Sequence, residues 1–223
     1  MTGFRRNIPK ARWFITALIG TAAAWVIWDL YGPRQVNLRR FDPHQVARVE
    51  TAMWRSYYGR RQLLLFSQLA ELLRTQYHLP FFRSNVVAYK AARAAFVFKE
   101  GHTRSDYERA LPLLVDYYAA LREMSDTPFN VDRAARLELE WWIVHRERES
   151  HQPEDLERAL SEIAAEVYRV PSNRVMEHGR LRAEAMRLCD TKAEPGGLRE
   201  EDWAKIEELL RASWAKLWEV VNS

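Results

Sequence analysis

The sequence predicts an all-α protein, with one N-terminal transmembrane helix followed by a domain of helical hairpins outside the membrane. The nineteen residues 13–31 are apolar apart from Asp29. In the rest of the chain apolar residues recur at helical spacing, and no segment alternates as a strand does. The connections are short and contain Pro, Gly, Ser or Asp, which favours antiparallel neighbouring helices in a bundle or a solenoid.

The apolar run is long enough to cross a bilayer. At about 1.5 Å per residue it reaches roughly 28 Å, close to the ~30 Å thickness of a hydrocarbon core. Aromatic residues lie near both of its ends, as residues at a membrane interface do. The expected interfacial anchors are Trp13, Trp25, Trp28 and Tyr31.

A cleaved signal peptide is the alternative to a retained anchor. Ala22, Ala23 and Ala24 offer the small residues of a cleavage site. We favour the anchor, because the apolar run continues through Trp28. Four Lys or Arg residues precede the run and three follow it closely. The positive-inside rule then slightly favours a cytoplasmic N-terminus and a domain on the outer, periplasmic side.

Small residues form one face of this helix. Ala17, Gly20, Thr21 and Ala24 lie at positions i, i+3, i+4 and i+7. Such a face allows the close approach of another transmembrane helix. We therefore expect the lipid bilayer and other membrane protein subunits as partners, although a passive lipid-facing tether fits the same pattern.

Composition divides the chain into a basic flank (1–12), the transmembrane helix (13–31), a linker (32–41) and a helical interaction domain (42–223). Residues 1–40 carry seven basic residues and one acidic residue, whereas the remainder carries 27 basic and 29 acidic residues. The sequence pI of 9.3 therefore reflects the membrane flanks. A nucleic-acid-binding domain needs a face of clustered Lys and Arg residues. The sequence of this domain predicts no such face, and we expect no nucleic-acid partner.

The spacing of apolar residues and the positions of helix-breaking residues predict the helices of the domain. Asp42 and Pro43 are the N-cap and first residue of a helix. Pro112 predicts a possible kink in the first turns of one later helix. The expected helices cover about 43–58, 60–76, 84–99, 105–124, 131–149, 153–170, 171–189 and 200–221.

One segment of the domain recurs at an offset of 49 residues. Lys99–Leu111 aligns without gaps to Arg148–Leu160, and seven of the positions are identical. Each copy covers the end of one helix, a turn and the start of the next helix. A constant offset across such a junction is typical of repeated helical hairpins, although two acidic helix starts can also be similar by chance.

The second halves of these units resemble the B helix of tetratricopeptide repeats. Ala159, Ile163 and Pro171 occupy the positions of that family's small residue, aromatic residue and terminal proline. The other copy has Ala110 and Leu114 but Arg122 in place of the proline. The A-helix signature is absent, and the resemblance covers about residues 81–171. It implies peptide or protein binding on a concave helical surface, with no catalytic residues.

Glu138, His145 and His178 are the residues most suggestive of chemistry. Glu138 and His145 share a stripe of one predicted helix, so the carboxylate and the imidazole are candidates for an acid–base pair. The alternative is a packing helix in which both side chains make structural hydrogen bonds. The chain has no Glu-x-x-His pair, phosphate-binding glycine loop or zincin motif, and we expect no metal and no cofactor.

Three functional hypotheses follow from these patterns. The first is a non-catalytic accessory or scaffold subunit of a membrane complex, with an architecture similar to accessory subunits of respiratory or photosynthetic reaction-centre complexes. Its candidate partner-binding residues are Trp141, Trp142 and Arg146. The second is a membrane-tethered enzyme that uses the Glu/His pair. The third is a membrane-anchored, tetratricopeptide-like periplasmic chaperone.

Overall fold

The computed structural model describes residues 10–193 and 197–223, and within these ranges it confirms the all-α prediction. No β-strand occurs in the described residues, apart from one isolated bridge between Val36 and Ser125. The α-helices are α1 Lys10–Tyr31, α2 Pro43–Tyr58, α3 Gln62–Tyr77, α4 Phe81–Lys99, α5 Arg104–Glu108, α6 Leu111–Met124, α7 Val131–Arg146, α8 Pro153–Tyr168, α9 Met176–Ala193 and α10 Glu200–Val221.

Helices α2–α10 form a closed succession, which we call the helical ring. Each long helix packs on the next, in the order α2, α3, α4, α6, α7, α8, α9, α10. The last helix, α10, then packs on α2 and closes the ring. Apolar residues such as Leu114, Ile143 and Leu210 fill its interior and are 1 % exposed or less.

Helices α8 and α9 approach each other closely at Gly179. A Cβ atom added at Gly179 would lie 2.1 Å from Oγ of Ser161 and 2.4 Å from the carbonyl oxygen of Glu157. These distances are too short for any side chain. Glycine is therefore required at this position so that the two backbones can approach each other.

The expected helix at 105–124 is divided into two in the structure. The short α5 ends at Glu108, and α6 begins at Leu111 with Pro112 in its first turn. Proline has no amide hydrogen and cannot donate to the carbonyl of Glu108, so the helix is interrupted there. A 3-10 turn also occupies Ser172–Arg174, so α9 begins five residues later than expected.

The repeated segment has the same local structure in both copies. Asp106 accepts the backbone amides of His102 and Thr103, and Asp155 accepts the amide of Gln152. Both carboxylates close a capping box at a helix start. The sequence similarity therefore reflects, at least in part, one capping arrangement used twice.

The linker 32–41 is packed into the domain. Leu38 and Phe41 are 1 % and 4 % exposed. The backbone amide of Val36 donates to the carbonyl of Met124 at 2.7 Å, at the end of α6. His78, after α3, contacts the carbonyl oxygen of Arg40. These contacts fix the segment that connects α1 to the helical ring.

Candidate functional site

The exposed apolar helix α1 meets the helical ring near its C-terminal end, where it packs on α4. Arg12–Tyr31 has a mean hydropathy of 1.5 and is long and apolar enough to cross a membrane. The expected interfacial anchors are all exposed by more than half: Trp13 69 %, Trp25 56 %, Trp28 57 % and Tyr31 78 %. These four aromatic side chains are therefore largely uncovered by the described residues.

Asp29 caps the N-terminus of α4, although it belongs to α1. Its Oδ1 accepts the backbone amides of Phe82 at 3.0 Å and Arg83 at 3.2 Å. The N-cap position of α4 is Pro80, which makes no side-chain cap of its own. A carboxylate at this place satisfies free amides and interacts favourably with the helix dipole. The one charge in the apolar run thus binds the domain.

Arg83 makes the reciprocal contact to the end of α1. Its Nε donates to the backbone carbonyl of Asp29 at 2.6 Å, and its Nη2 donates to the carbonyl of Gly32. The last carbonyls of a helix have no partner within that helix. Both Asp29 and Arg83 are more than nine-tenths buried. The end of α1 and the beginning of α4 therefore satisfy each other's free backbone groups.

Aromatic packing adds to this junction on one side, and an open cavity lies beside it. The rings of Trp25 and Phe82 are 5.2 Å apart and meet edge to face. The cavity has a volume of about 430 Å³ and is lined by residues 31–35 together with Arg83 and Glu123.

The small-residue face of α1 is accessible. Ala17, Gly20, Thr21 and Ala24 are all exposed. A Cβ atom added at Gly20 would meet no described atom within 4 Å. The hydroxyl of Thr21 donates to the carbonyl of Ala17 at 2.9 Å, so it needs no external partner.

A buried ion pair joins α2 and α9 inside the ring. Glu50 is 0 % exposed, and its Oε1 accepts from Nη2 of Arg182 at 2.6 Å. Its Oε2 accepts from Nε1 of Trp214 on α10 at 2.6 Å. Burial by itself would lower the pKa of Arg182, but the charge and hydrogen bond of Glu50 raise it above the ordinary value. The guanidinium therefore stays charged.

Glu138 is half-buried and accepts hydrogen bonds from two side chains. Its Oε2 accepts from the hydroxyl of Tyr118 at 2.8 Å, and its Oε1 accepts from Nε1 of Trp142 at 3.0 Å. Burial, together with the charge of Glu138, raises the pKa of Tyr118, so this phenol remains a donor. Both oxygens of the carboxylate are used in structural hydrogen bonds.

His145 pairs with Asp190 of α9, which sequence analysis did not single out. Its Nε2 lies 2.8 Å from Oδ2 of Asp190, whose Oδ1 accepts from the hydroxyl of Tyr58 at 2.8 Å. Burial would raise the pKa of Asp190, but the hydrogen bond and charge of His145 contribute to a net lowering. The His145 side chain is 28 % exposed.

His178 packs against α10 and shares no hydrogen-bond partner with Glu138 or His145. It is 2 % exposed, and its Nδ1 lies 2.8 Å from the hydroxyl of Ser213. Its ring centroid is 5.2 Å from that of Trp214. Burial lowers the pKa of His178 to about 3, so the imidazole is neutral. The three candidate catalytic side chains, Glu138, His145 and His178, therefore bind three different sets of partners.

The three candidate partner-binding residues differ in exposure. Trp141 and Trp142 are half-buried and pack against the core. Nε1 of Trp141 is buried and has no hydrogen-bond partner among the described residues. Arg146 is exposed, and its guanidinium lies 5.1 Å from the ring centroid of Phe98. Of the three, Arg146 is the one that projects from the surface.

The buried pair of Glu50 and Arg182 could have been suspected from the sequence. Glu50 lies within the apolar stripe formed by Val46, Val49 and Met53, where a charged residue needs a partner. Its partner was not identifiable, because Arg182 is 132 residues away in sequence.

In residues 10–193 and 197–223 no group of three or more His, Cys, Asp and Glu side chains is arranged to hold a metal ion. Cys189 is a free cysteine and is buried. No protein-family model, curated protein or solved structure matches the chain in the comparisons with known proteins.

Proposed function

We propose that this chain is a single-pass membrane protein whose helical domain acts as a non-catalytic accessory or scaffold subunit of a larger membrane complex. The observation that supports this most directly is the junction of Asp29 and Arg83. It ties an exposed apolar helix to a folded domain through buried hydrogen bonds. A signal peptide that is removed has no need of such contacts with the mature domain.

The two sides of α1 suggest how the anchor takes part in assembly. At about 100° per residue, the face of Ala17, Gly20, Thr21 and Ala24 lies roughly 130° from Asp29 around the helix. A partner helix in the bilayer can therefore pack on this face while the opposite side holds α4. Small residues favour such close packing between membrane helices.

The hydrogen bonding of three carboxylates favours a structural role for the domain. The carboxylates of Glu50, Glu138 and Asp190 each accept two or more hydrogen bonds from side chains of the protein. Acid–base catalysis needs a group that is free to exchange a proton with a substrate. A peptide-binding helical array, as the tetratricopeptide resemblance implies, requires no such group.

Native co-migration is the test of this proposal. Membranes from the native source are extracted in mild detergent, and the full-length protein is followed by size separation and mass spectrometry. We expect it to co-migrate at fixed stoichiometry with other membrane subunits. Migration as a lone monomer, or recovery in the soluble fraction after alkaline washing, would overturn the proposal.

A matched pair of variants tests the role of the small-residue face. Ala24→Ile adds bulk on this face, and Ala22→Ile adds the same bulk on the side that faces away from it. We expect Ala24→Ile to weaken co-migration at least severalfold and Ala22→Ile to leave it unchanged. Equal effects of the two variants would remove the face from the proposed interface.

A further inference from the structure

An unusual charge distribution distinguishes the part of the ring beside the anchor. Residues 72–99, which comprise the last six residues of α3 and all of α4, contain five Lys or Arg residues and no Asp or Glu. The soluble domain as a whole is slightly acidic, so this stretch is a local exception.

Apolar and aromatic side chains cover the exposed side of α4. Phe82, Val86, Tyr89, Arg93 and Phe96 lie at spacings of four, three, four and three residues, which places them along one side of the helix. We call these five residues the α4 outer face. Of these, Val86 is 45 %, Tyr89 57 % and Phe96 59 % exposed.

The basic residues of α4 form no ion pair with any residue in the described ranges. Lys90, Arg93 and Lys99 lie on or next to the α4 outer face, and the guanidinium of Arg93 is 5.9 Å from the ring centroid of Tyr89. On α10, by contrast, Lys205 and Lys216 each bond an acidic residue three positions later. Arg83 is buried against the end of α1, so the positive charges of Lys90, Arg93 and Lys99 are the ones left for an external partner.

Exposed apolar residues also occur at the start of α3. Leu63 is 90 % and Leu64 42 % exposed, and one residue separates them from Arg60 and Arg61. α3 and α4 run antiparallel, since the end of α3 contacts the start of α4 through Arg74. The two leucines therefore lie towards the end of α4 that carries Phe96.

The α4 outer face begins where the membrane anchor is seated. Trp25 of α1 packs on Phe82, the first residue of the face. The face then continues for fourteen residues, or about 21 Å along α4. A continuous apolar surface thus leads from the proposed membrane span onto the domain.

We propose that the α4 outer face and the start of α3 rest on the bilayer that α1 crosses and bind anionic lipid headgroups. This inference rests on the proposed membrane span. Aromatic and leucine side chains combined with Lys and Arg are typical of helices that lie in the membrane interface. Because the face lacks acidic residues, it is attracted to an anionic bilayer surface.

A reporter on the face tests the contact directly. The full-length Val86→Cys variant carries an environment-sensitive dye, and Ala212→Cys on the exposed side of α10 is the control site. Both are reconstituted in vesicles of phosphatidylcholine with or without phosphatidylglycerol. We expect iodide quenching at residue 86 to fall severalfold when phosphatidylglycerol is present and quenching at residue 212 to stay unchanged.

Charge reversal separates lipid binding from simple apolar contact. Lys90→Glu with Arg93→Glu removes two attractive charges, each worth roughly fivefold in binding at an anionic surface. We expect iodide to quench the dye at residue 86 of this variant equally well with and without phosphatidylglycerol. Lys205→Glu with Lys216→Glu changes the net charge equally and should leave the protection intact.

The possible outcomes distinguish this inference from the proposed function. If the protein resists alkaline washing but residue 86 is quenched as fully as residue 212, the span stands and the lipid contact is overturned. If residue 86 is protected only in native membranes, and crosslinks there to a protein, a protein partner covers the face and the lipid contact is again overturned. Release by alkaline washing overturns the span itself.

Discussion

Asp29 and Arg83 cap each other's helices: the carboxylate of Asp29 accepts the amide of Arg83, and the side chain of Arg83 donates to the backbone carbonyl of Asp29. Each residue thereby satisfies a helix end that its own helix leaves open. Because both residues are buried, the contact is shielded from water. The domain is consequently held at a defined position relative to α1.

Asp29→Ala should loosen the start of α4. Loss of a helix cap costs about 0.5–2 kcal/mol, and 1.4 kcal/mol is about tenfold in an opening equilibrium. We expect the amides of Phe82 and Arg83 to exchange hydrogen up to about tenfold faster in full-length protein in detergent. Mass-spectrometric hydrogen exchange on peptides that cover residues 80–90 measures this.

Asp42→Ala provides the matched control for the cap. Asp42 caps α2 from its own N-cap position and accepts the amide of His44 at 2.9 Å. Its removal should accelerate exchange at the start of α2 only. Unchanged exchange at Phe82 and Arg83 in Asp29→Ala would show that the α1 contact contributes nothing to α4.

Glu50→Gln should destabilise the ring strongly. Removing one partner of a buried pair leaves the other charge uncompensated, which costs about 3–5 kcal/mol. Arg182 would be the uncompensated charge. Either Arg182 or Trp214 would also face the amide nitrogen of the glutamine, which cannot accept its hydrogen bond. Urea unfolding followed by tryptophan fluorescence measures the loss in free energy of unfolding.

Two comparisons make the prediction for Glu50 specific. Glu200→Gln breaks an exposed pair with Arg55 and should cost less than about 1 kcal/mol. The double variant Glu50→Gln with Arg182→Met removes the buried charge and should be more stable than Glu50→Gln alone. A double variant that is less stable than the single variant would contradict this account.

His178 should make the protein less stable as the pH falls below about 6.5. Burial lowers its pKa from 6.5 to about 3, so between these values the unfolded chain binds a proton that the folded protein rejects. Stability therefore falls by about 1.4 kcal/mol per pH unit from this residue alone. The free energy of unfolding, measured from about pH 7.5 to pH 5, checks the slope.

His178→Gln keeps a hydrogen-bonding side chain but does not titrate. We expect the variant to be less stable than the wild type near neutral pH, because its packing against Trp214 changes. Its stability should nevertheless decline less steeply between about pH 6.5 and pH 5. Parallel curves for the two proteins would assign the pH dependence to other groups.

Elements governed by local sequence were predictable, whereas contacts between helices were not. The Asp42–Pro43 start of α2 and the bounds of α10 agree with the structure, because caps and apolar spacing act within a few residues. Asp29 was recognised as the exception in an apolar run. Its partner on α4 depends on how distant helices pack, which periodicity does not encode.

The same limit applied to the candidate acid–base pair. Glu138 and His145 lie seven residues apart on one side of α7, as expected. The closure of the ring brings Asp190 of α9 to His145 and Tyr118 of α6 to Glu138. Spacing along one helix predicted a shared side, but the neighbouring helices determine the bonding partner of each residue.

Cys189 should be almost inert in the folded protein. Burial, together with the charge of Asp190, raises its pKa from 9.0 to about 12. A shift of three pH units reduces the thiolate fraction about a thousandfold, and the thiolate is the reactive form. Since Cys189 is the one cysteine of the chain, iodoacetamide labelling of full-length protein in detergent near pH 8 reports on it alone.

Two reference reactions define the labelling result. In denaturant, Cys189 should react completely, because unfolding removes both the burial and the nearby carboxylate. In the folded Ala212→Cys variant, the added exposed thiol should react at the rate of a free cysteine while Cys189 stays unmodified. Labelling of folded wild-type protein at the rate of residue 212 would mean that α9 opens far more often than its packing allows. The helical ring would then open locally at the junction of α2, α7 and α9, where Tyr58, Asp190 and His145 meet.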